Sequence, residues 1–144
     1  MAYGPPPSRL VFLSDLGRMS VGSKVRFLGC VERYDVSTAT LTLKHAYPAN
    51  AAKSAAVVHV NVDHVLETVK STDLELGAWL NIIGYVAAPP DGSKRRAKKG
   101  GADNIAEATN AQAIMLWSAG DIRLDVYEKA VEARKAADVL FSPE

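Results

Sequence analysis

The sequence is short of several things that define whole classes of function. It holds one cysteine, Cys30, in 144 residues. A single thiol closes no internal disulfide and builds no multi-cysteine zinc site, and it is compatible with a reducing compartment. No stretch approaches the roughly 18 consecutive apolar residues that a membrane span needs. The opening Met1 to Pro7 lacks the basic-then-apolar order of a signal peptide, so cytosol or nucleus is the expected compartment. Aromatic residues make up 7%, which leaves few rings for stacking on bases. Charge of one sign is also missing: 17 Lys and Arg against 16 Asp and Glu exclude a generally basic, nucleic-acid-coating surface.

Motifs that carry chemistry are absent too. There is no G-x-S-x-G, no G-x-x-x-x-G-K-[ST], no H-E-x-x-H and no C-x-x-C. Asp63, His64 and Glu67 lie close in sequence, but two carboxylates and an imidazole on a short helix read as a solvated face. His45 and His59 fall on separate strands with no spacing rule linking them to His64. Cys30 sits in a mostly apolar strand, where a thiol is inert. The expectation is a non-catalytic protein with no metal, no cofactor and no small-molecule substrate.

The length suits one domain with a real core. Residues 1–7 read as a tail and 8–140 as a single domain. Five strands are legible. Lys24 to Tyr34 presents Val25/Phe27/Gly29/Val31 on one face and Arg26/Leu28/Cys30/Glu32 on the other, with Gly29 placed where a barrel strand bends. Thr40 to Lys44 alternates Thr and Leu, Ala56 to Val62 puts Val58/Val60/Val62 on one side, and Trp79 to Val86 and Ala111 to Trp117 are rich in β-formers. Val65, Leu66 and Val69 recur at helical spacing over residues 63–70. A terminal helix is predicted over 121–138, capped by Asp121, with an apolar stripe of Leu124, Tyr127 and Val131. Arg123, Glu128, Glu132 and Lys135 then face solvent.

Three strands, a short helix, two strands and a terminal helix give the connectivity of the OB-fold, a five-stranded Greek-key barrel. The alternative is an unrelated α+β sandwich, because periodicity does not reveal strand order. The core of the barrel should hold Phe27, Leu41, Leu43, Val58, Val60 and either Ile82 or Ile83.

Two features point to binding. Lys94, Arg95, Arg96, Lys98 and Lys99 crowd into six residues inside a loop over 87–109 bordered by Pro and Gly, and outside them 12 basic residues face 16 acidic ones. In an OB barrel this loop joins the last two strands and flanks the single-strand-binding face, where basic side chains track phosphates. The same run also reads as a nuclear-import signal or a plain solvated loop. Thr40, Thr42, Lys44, His59 and Asn61 share the polar outer face beside it, which marks Lys44 and His59 as further DNA-contact candidates. The second feature is the terminal stripe, which fits equally well against its own barrel or against a partner.

Leu10 to Leu16, Gly22 to Val31, Tyr34 to Thr38 and Leu41 to Leu43 together resemble the Ten-type small subunit of fungal CST telomere-capping complexes. Val60 to Val62, Trp79 to Val86 and Ala113 to Gly120 continue the resemblance, which covers roughly residues 8 to 140. It implies an OB-fold, a nuclear and telomeric location, and a heterodimer with the Stn subunit. It further implies a share in binding G-rich single-stranded telomeric DNA and in regulating telomere length. By the same resemblance the docking surface falls on Leu124, Tyr127, Val131 and Arg134, with Ile122 beside them. The alternative is a stand-alone OB-fold module in DNA or RNA metabolism.

Overall fold

The computed structural model describes residues 8–46, 56–88 and 109–141, with side chains as far as 137. The predicted tail and the basic residues 94–99 lie outside the described residues. Strand β1 (Arg9–Leu10) runs parallel to β2 (Lys24–Asp35), and β3 (Thr40–His45), β4 (Ala56–Asn61), β5 (Trp79–Ala87), β6 (Thr109–Ser118) and helix α1 (Leu124–Phe141) follow. The sheet order is β1-β2-β3-β4-β6-β5, and β5 returns to pair with β2. Five strands, β2 to β6, therefore close a barrel. Its seam is antiparallel throughout except between β4 and β6, which run parallel. That order is the Greek-key arrangement of an OB-fold.

Alternation builds the interior. Val25, Phe27, Leu41, Leu43, Val58, Val60, Leu80, Ile82 and Ala113 are fully buried, so the expected core residues are where the pattern puts them and Ile82, not Ile83, is the inward one. Gly29 sits where a Cβ would meet Leu43 Cβ at 2.8 Å, so the strand bends through a point that has no room for a side chain. Just beyond it the register of β2 against β3 shifts between Val31 and Arg33. A bulge there bends β2 and turns Glu32 outward beside its neighbours.

Three expectations need correction. Residues 63–70 form turns, and a helical turn of 3-10 type appears only at Ser71–Leu74. The reason is local. Leu66 is exposed, so only Val65 and the partly buried Val69 anchor the segment, and Thr68 Oγ1 donates to the Val65 carbonyl at 3.0 Å. That bond competes with a continuous helical ladder. Next, α1 starts at Leu124 and Asp121 does not cap it: Gly120 turns the chain at φ +62°, and the first helical bond joins Tyr127 N–H to the Arg123 carbonyl. The third correction is that Glu128 and Lys135 face the barrel rather than solvent, as described next. The segment before β2 is both strand and 3-10 turn: β1 leads into Leu13–Arg18, whose Leu13 and Leu16 join the core.

Candidate functional site

Helix α1 has its own seat on the barrel. Phe12, Leu28 and Val131 are buried yet stand apart from the barrel's core cluster. Leu28 points outward by strand alternation and is still 0% exposed, so the outer wall is covered at this point. Polar contacts pin the helix in place. His45, buried at the end of β3, lies 2.9 Å from a Glu128 carboxylate oxygen through Nε2. Its ring meets Trp79 edge-on at 5.4 Å, Phe12 at 6.1 Å and Tyr127 at 6.4 Å. Farther along, Lys135 Nζ donates to Asp15 at 2.9 Å and stands 5.1 Å over the Phe12 ring. Residues 124, 127, 128, 131 and 135 follow helical spacing, so the predicted stripe and its polar flank form one barrel-facing side.

This placement divides the five predicted partner residues. Val131 is 0% exposed and occupied by its own barrel, which removes it from the free surface. Ile122, Leu124 and Tyr127 are half-buried, and Arg134 is exposed. Around Tyr127 the structure adds residues that the pattern did not single out. Arg26, Ile83 and Met115 form one row across the outer wall of β2, β5 and β6. The Arg26 guanidinium stands 5.2 Å over the Trp117 ring, and its charge also reaches the Tyr127 phenol. Met115 and Val126 are each 53% exposed. Burial, opposed by Arg26, pushes the Tyr127 phenol up to about 12. Its hydroxyl is buried and has no hydrogen-bond partner among the described residues. Such an orphan costs about 1–3 kcal/mol. Arg26 was hidden in the sequence because one charged residue in a mixed strand face carries no signal until a ring on another strand lies beneath it.

The opposite wall is polar. Thr42 Oγ1 and His59 Nδ1 are 3.2 Å apart across β3 and β4. Asn61 Nδ2 donates to the Thr38 carbonyl, and Gln112 Nε2 donates to the Asn61 carbonyl, both at 3.2 Å. Lys44 Nζ forms a 2.7 Å ion pair with Glu32, which holds its ammonium above the usual lysine range. At the rim Asp35 accepts from Ser37 N–H and Oγ, which holds its carboxyl below the usual range. Cys30 lies half-buried beside Lys44, and burial pushes its thiol up. Lys44 and His59 thus share one wall as expected, while Lys94, Arg95, Arg96, Lys98 and Lys99 lie outside the described residues. His64 and Asp63 form an exposed pair at 3.7 Å. Among the described residues no group of three His, Cys, Asp or Glu is placed to hold a metal ion.

The family model for Ten1, described as telomere capping, CST complex subunit, matches residues 1–132. None of the curated proteins matches this chain. Among solved structures, a chain of the S. pombe Stn1–Ten1 complex is 21% identical with a TM-score of 0.63, covering 94% of this chain and 98% of its own. The telomere capping protein Ten1 of S. pombe is 23% identical with a TM-score of 0.63, covering 90% and 99%. Replication protein A of U. maydis, bound to single-stranded DNA, is 19% identical with a TM-score of 0.57, covering 96% and 99%. These likenesses establish the fold.

Proposed function

The chain belongs to the Ten1 family, telomere-capping subunits of the CST complex, and we propose that it acts without catalysis, as one half of a heterodimer with an Stn1-type subunit. Its docking surface is the outer wall of β2, β5 and β6 continued onto the start of α1. The observation that carries this reading is the wall itself: Met115 on β6 and Val126 at the start of α1 are each 53% exposed, on the side that also carries Arg26 and the half-buried Tyr127 ring. A partner laid on this wall covers the exposed Met and Val side chains and the open part of the Tyr127 ring. Interfaces favour such a combination, with Tyr and Arg as anchors and apolar neighbours excluding water. The similar S. pombe complex of Stn1 with Ten1 supports the choice of partner. The heterodimer then serves chromosome-end protection in the nucleus and bears on telomere length.

The polar wall of β3 and β4 is the side on which an OB barrel takes single strands. In the proposed heterodimer His59, Thr42 and Asn61 offer hydrogen bonds to bases, and the basic run 94–99 supplies phosphate contacts. The stand-alone reading has less behind it. No Phe, Tyr or Trp stands on that wall among the described residues, since Tyr34 packs toward the core. A free-standing binder needs stacking platforms.

The test is Met115→Asp with Val126→Asp. Both side chains are more than half exposed, so circular dichroism and the thermal melt should match the parent. Co-expression with an Stn1-type subunit and size-exclusion chromatography should give separated proteins. Full co-elution of the folded variant would move the interface elsewhere.

A further inference from the structure

Resting on the single-strand reading above, we propose that Glu32 is an electrostatic gate that withholds Lys44 from phosphate. The gate follows from the geometry of β2. In regular alternation Cys30 and Glu32 share the outer face, and Cys30 is the cross-strand partner of Lys44. The register shift between Val31 and Arg33 puts an extra residue into β2 at this point. A bulge re-aims the side chain it carries. Here the result is a Glu32 carboxylate 2.7 Å from Lys44 Nζ, with both groups partly open to solvent. Arg33 and Asp35 then pair with Thr42 and Thr40 of β3, which sets one more charge of each sign along the same rim.

The wall therefore cancels its own charge. Glu32 and Asp35 offset Lys44 and Arg33, and the remaining contacts are made by hydroxyl, amide and imidazole groups. A phosphate approaching Lys44 has to share the ammonium with a carboxylate already in contact, and it meets that carboxylate as a like charge. Lys44 is in reserve, and the face discriminates against any polyanion that offers only charge. Such a wall favours strands held by base contacts or delivered by a partner subunit, and it keeps the chain from coating single strands in general. An exposed ion pair is a weak interaction, so the gate is able to open while its removal still shows in a binding titration.

The experiment compares the parent, Glu32→Gln, Lys44→Gln and the double variant, as full chains and as heterodimers with an Stn1-type subunit. The probe is a labelled single-stranded oligothymidylate, read by fluorescence anisotropy across a salt series. Glu32→Gln should bind about two- to fivefold tighter. Its plot of log affinity against log salt should steepen by about 0.7, the value of one gained phosphate contact on a single strand. Lys44→Gln alone should change little, and the double variant should return to parent affinity. Asp125→Asn removes an exposed carboxylate on α1 instead, and in the isolated chain it should leave binding unchanged. Unaltered binding by Glu32→Gln in a protein that does bind would overturn the gate and leave the single-strand reading standing. Absence of binding by the parent and by Glu32→Gln alike, in both forms, would overturn both. Equal gains from Glu32→Gln and Asp125→Asn would reduce the effect to net charge and also reject the gate.

Discussion

Removing one oxygen atom from Tyr127 should stabilise the free chain and leave its affinity for a partner unchanged. In the free chain the hydroxyl is buried without a partner among the described residues, so Tyr127→Phe relieves an unmet desolvation cost. That cost is about 1–3 kcal/mol for a fully buried group, and the half-buried ring argues for the low end, about 1 kcal/mol. For a domain of this length that raises the melting temperature by about 2–4 °C. Ionisation gives a second reading of the same atom. The phenol is pushed up to about 12 from the ordinary tyrosine value of 10.0, mainly by burial. Between those two pH values the unfolded chain has lost the proton and the folded chain keeps it, so stability present below pH 10 falls as pH rises towards 12. After discounting for the solvent that reaches the ring, the loss is about 1–2 kcal/mol. The Phe variant lacks this loss, and its melts should diverge upward from the parent's across that window. With the partner present the affinity should stay within about twofold, because the hydroxyl is already enclosed in the free chain and its loss removes no contact that a partner makes. Calorimetric melts of the free chain and titration against an immobilised Stn1-type subunit supply both halves. A free chain destabilised by the change would mean that the hydroxyl is already satisfied, and a clearly weakened affinity would mean that docking opens the site and reaches it.

Leu43→Ala empties a fully buried site at the heart of β3 and should cost about 2–5 kcal/mol in urea unfolding. Val131→Asp should damage the free chain itself, because the side chain is fully buried beneath α1; a lowered melt without any partner present is the expected outcome, and a normal melt would contradict the seat described above. Replacing Lys94, Arg95, Arg96, Lys98 and Lys99 by Ala should weaken single-strand binding by the heterodimer. It should also flatten its salt dependence by about 0.7 per lost phosphate contact, whereas an unchanged slope would assign the run to import or linker duty.

The barrel was legible because strands facing one core alternate with a period of two, and Thr40 to Lys44 and Ala56 to Val62 do so without interruption. Residues 63–70 misled because helical spacing of Val65, Leu66 and Val69 is shared by any turn that buries one of them. The stripe on α1 was visible, but periodicity names a buried side without naming what buries it. Glu128 and Lys135 look like solvent-facing charges in sequence, and only the third dimension brings His45, on β3, and Asp15, ahead of β2, to meet them. Contacts at such separations leave no local trace. The bulge in β2 is equally silent, since Val31-Glu32-Arg33 carries no glycine or proline to announce it.

The two walls of the barrel differ in what they leave unfinished, and that difference assigns their roles. On the β3 and β4 wall the polar groups described find partners within the chain: Thr42 with His59, Asn61 with Thr38, Lys44 with Glu32. Anything that binds there has to compete with contacts already made. The wall of β2, β5 and β6 is finished only beneath α1, where His45, Glu128, Asp15 and Lys135 lock the helix down. Beyond that seat it presents a buried hydroxyl without a partner, a guanidinium resting on a ring, and exposed Met115 and Val126. The hydroxyl is already enclosed, so what this wall offers another molecule is the guanidinium and the exposed Met115 and Val126 side chains. The rigid attachment of α1 adds to this: a helix fixed by buried polar contacts presents Val126 and Tyr127 without a further ordering cost on binding. In the proposed heterodimer the stable assembly uses the β2, β5 and β6 wall, and weak, partner-dependent contact with nucleic acid uses the other.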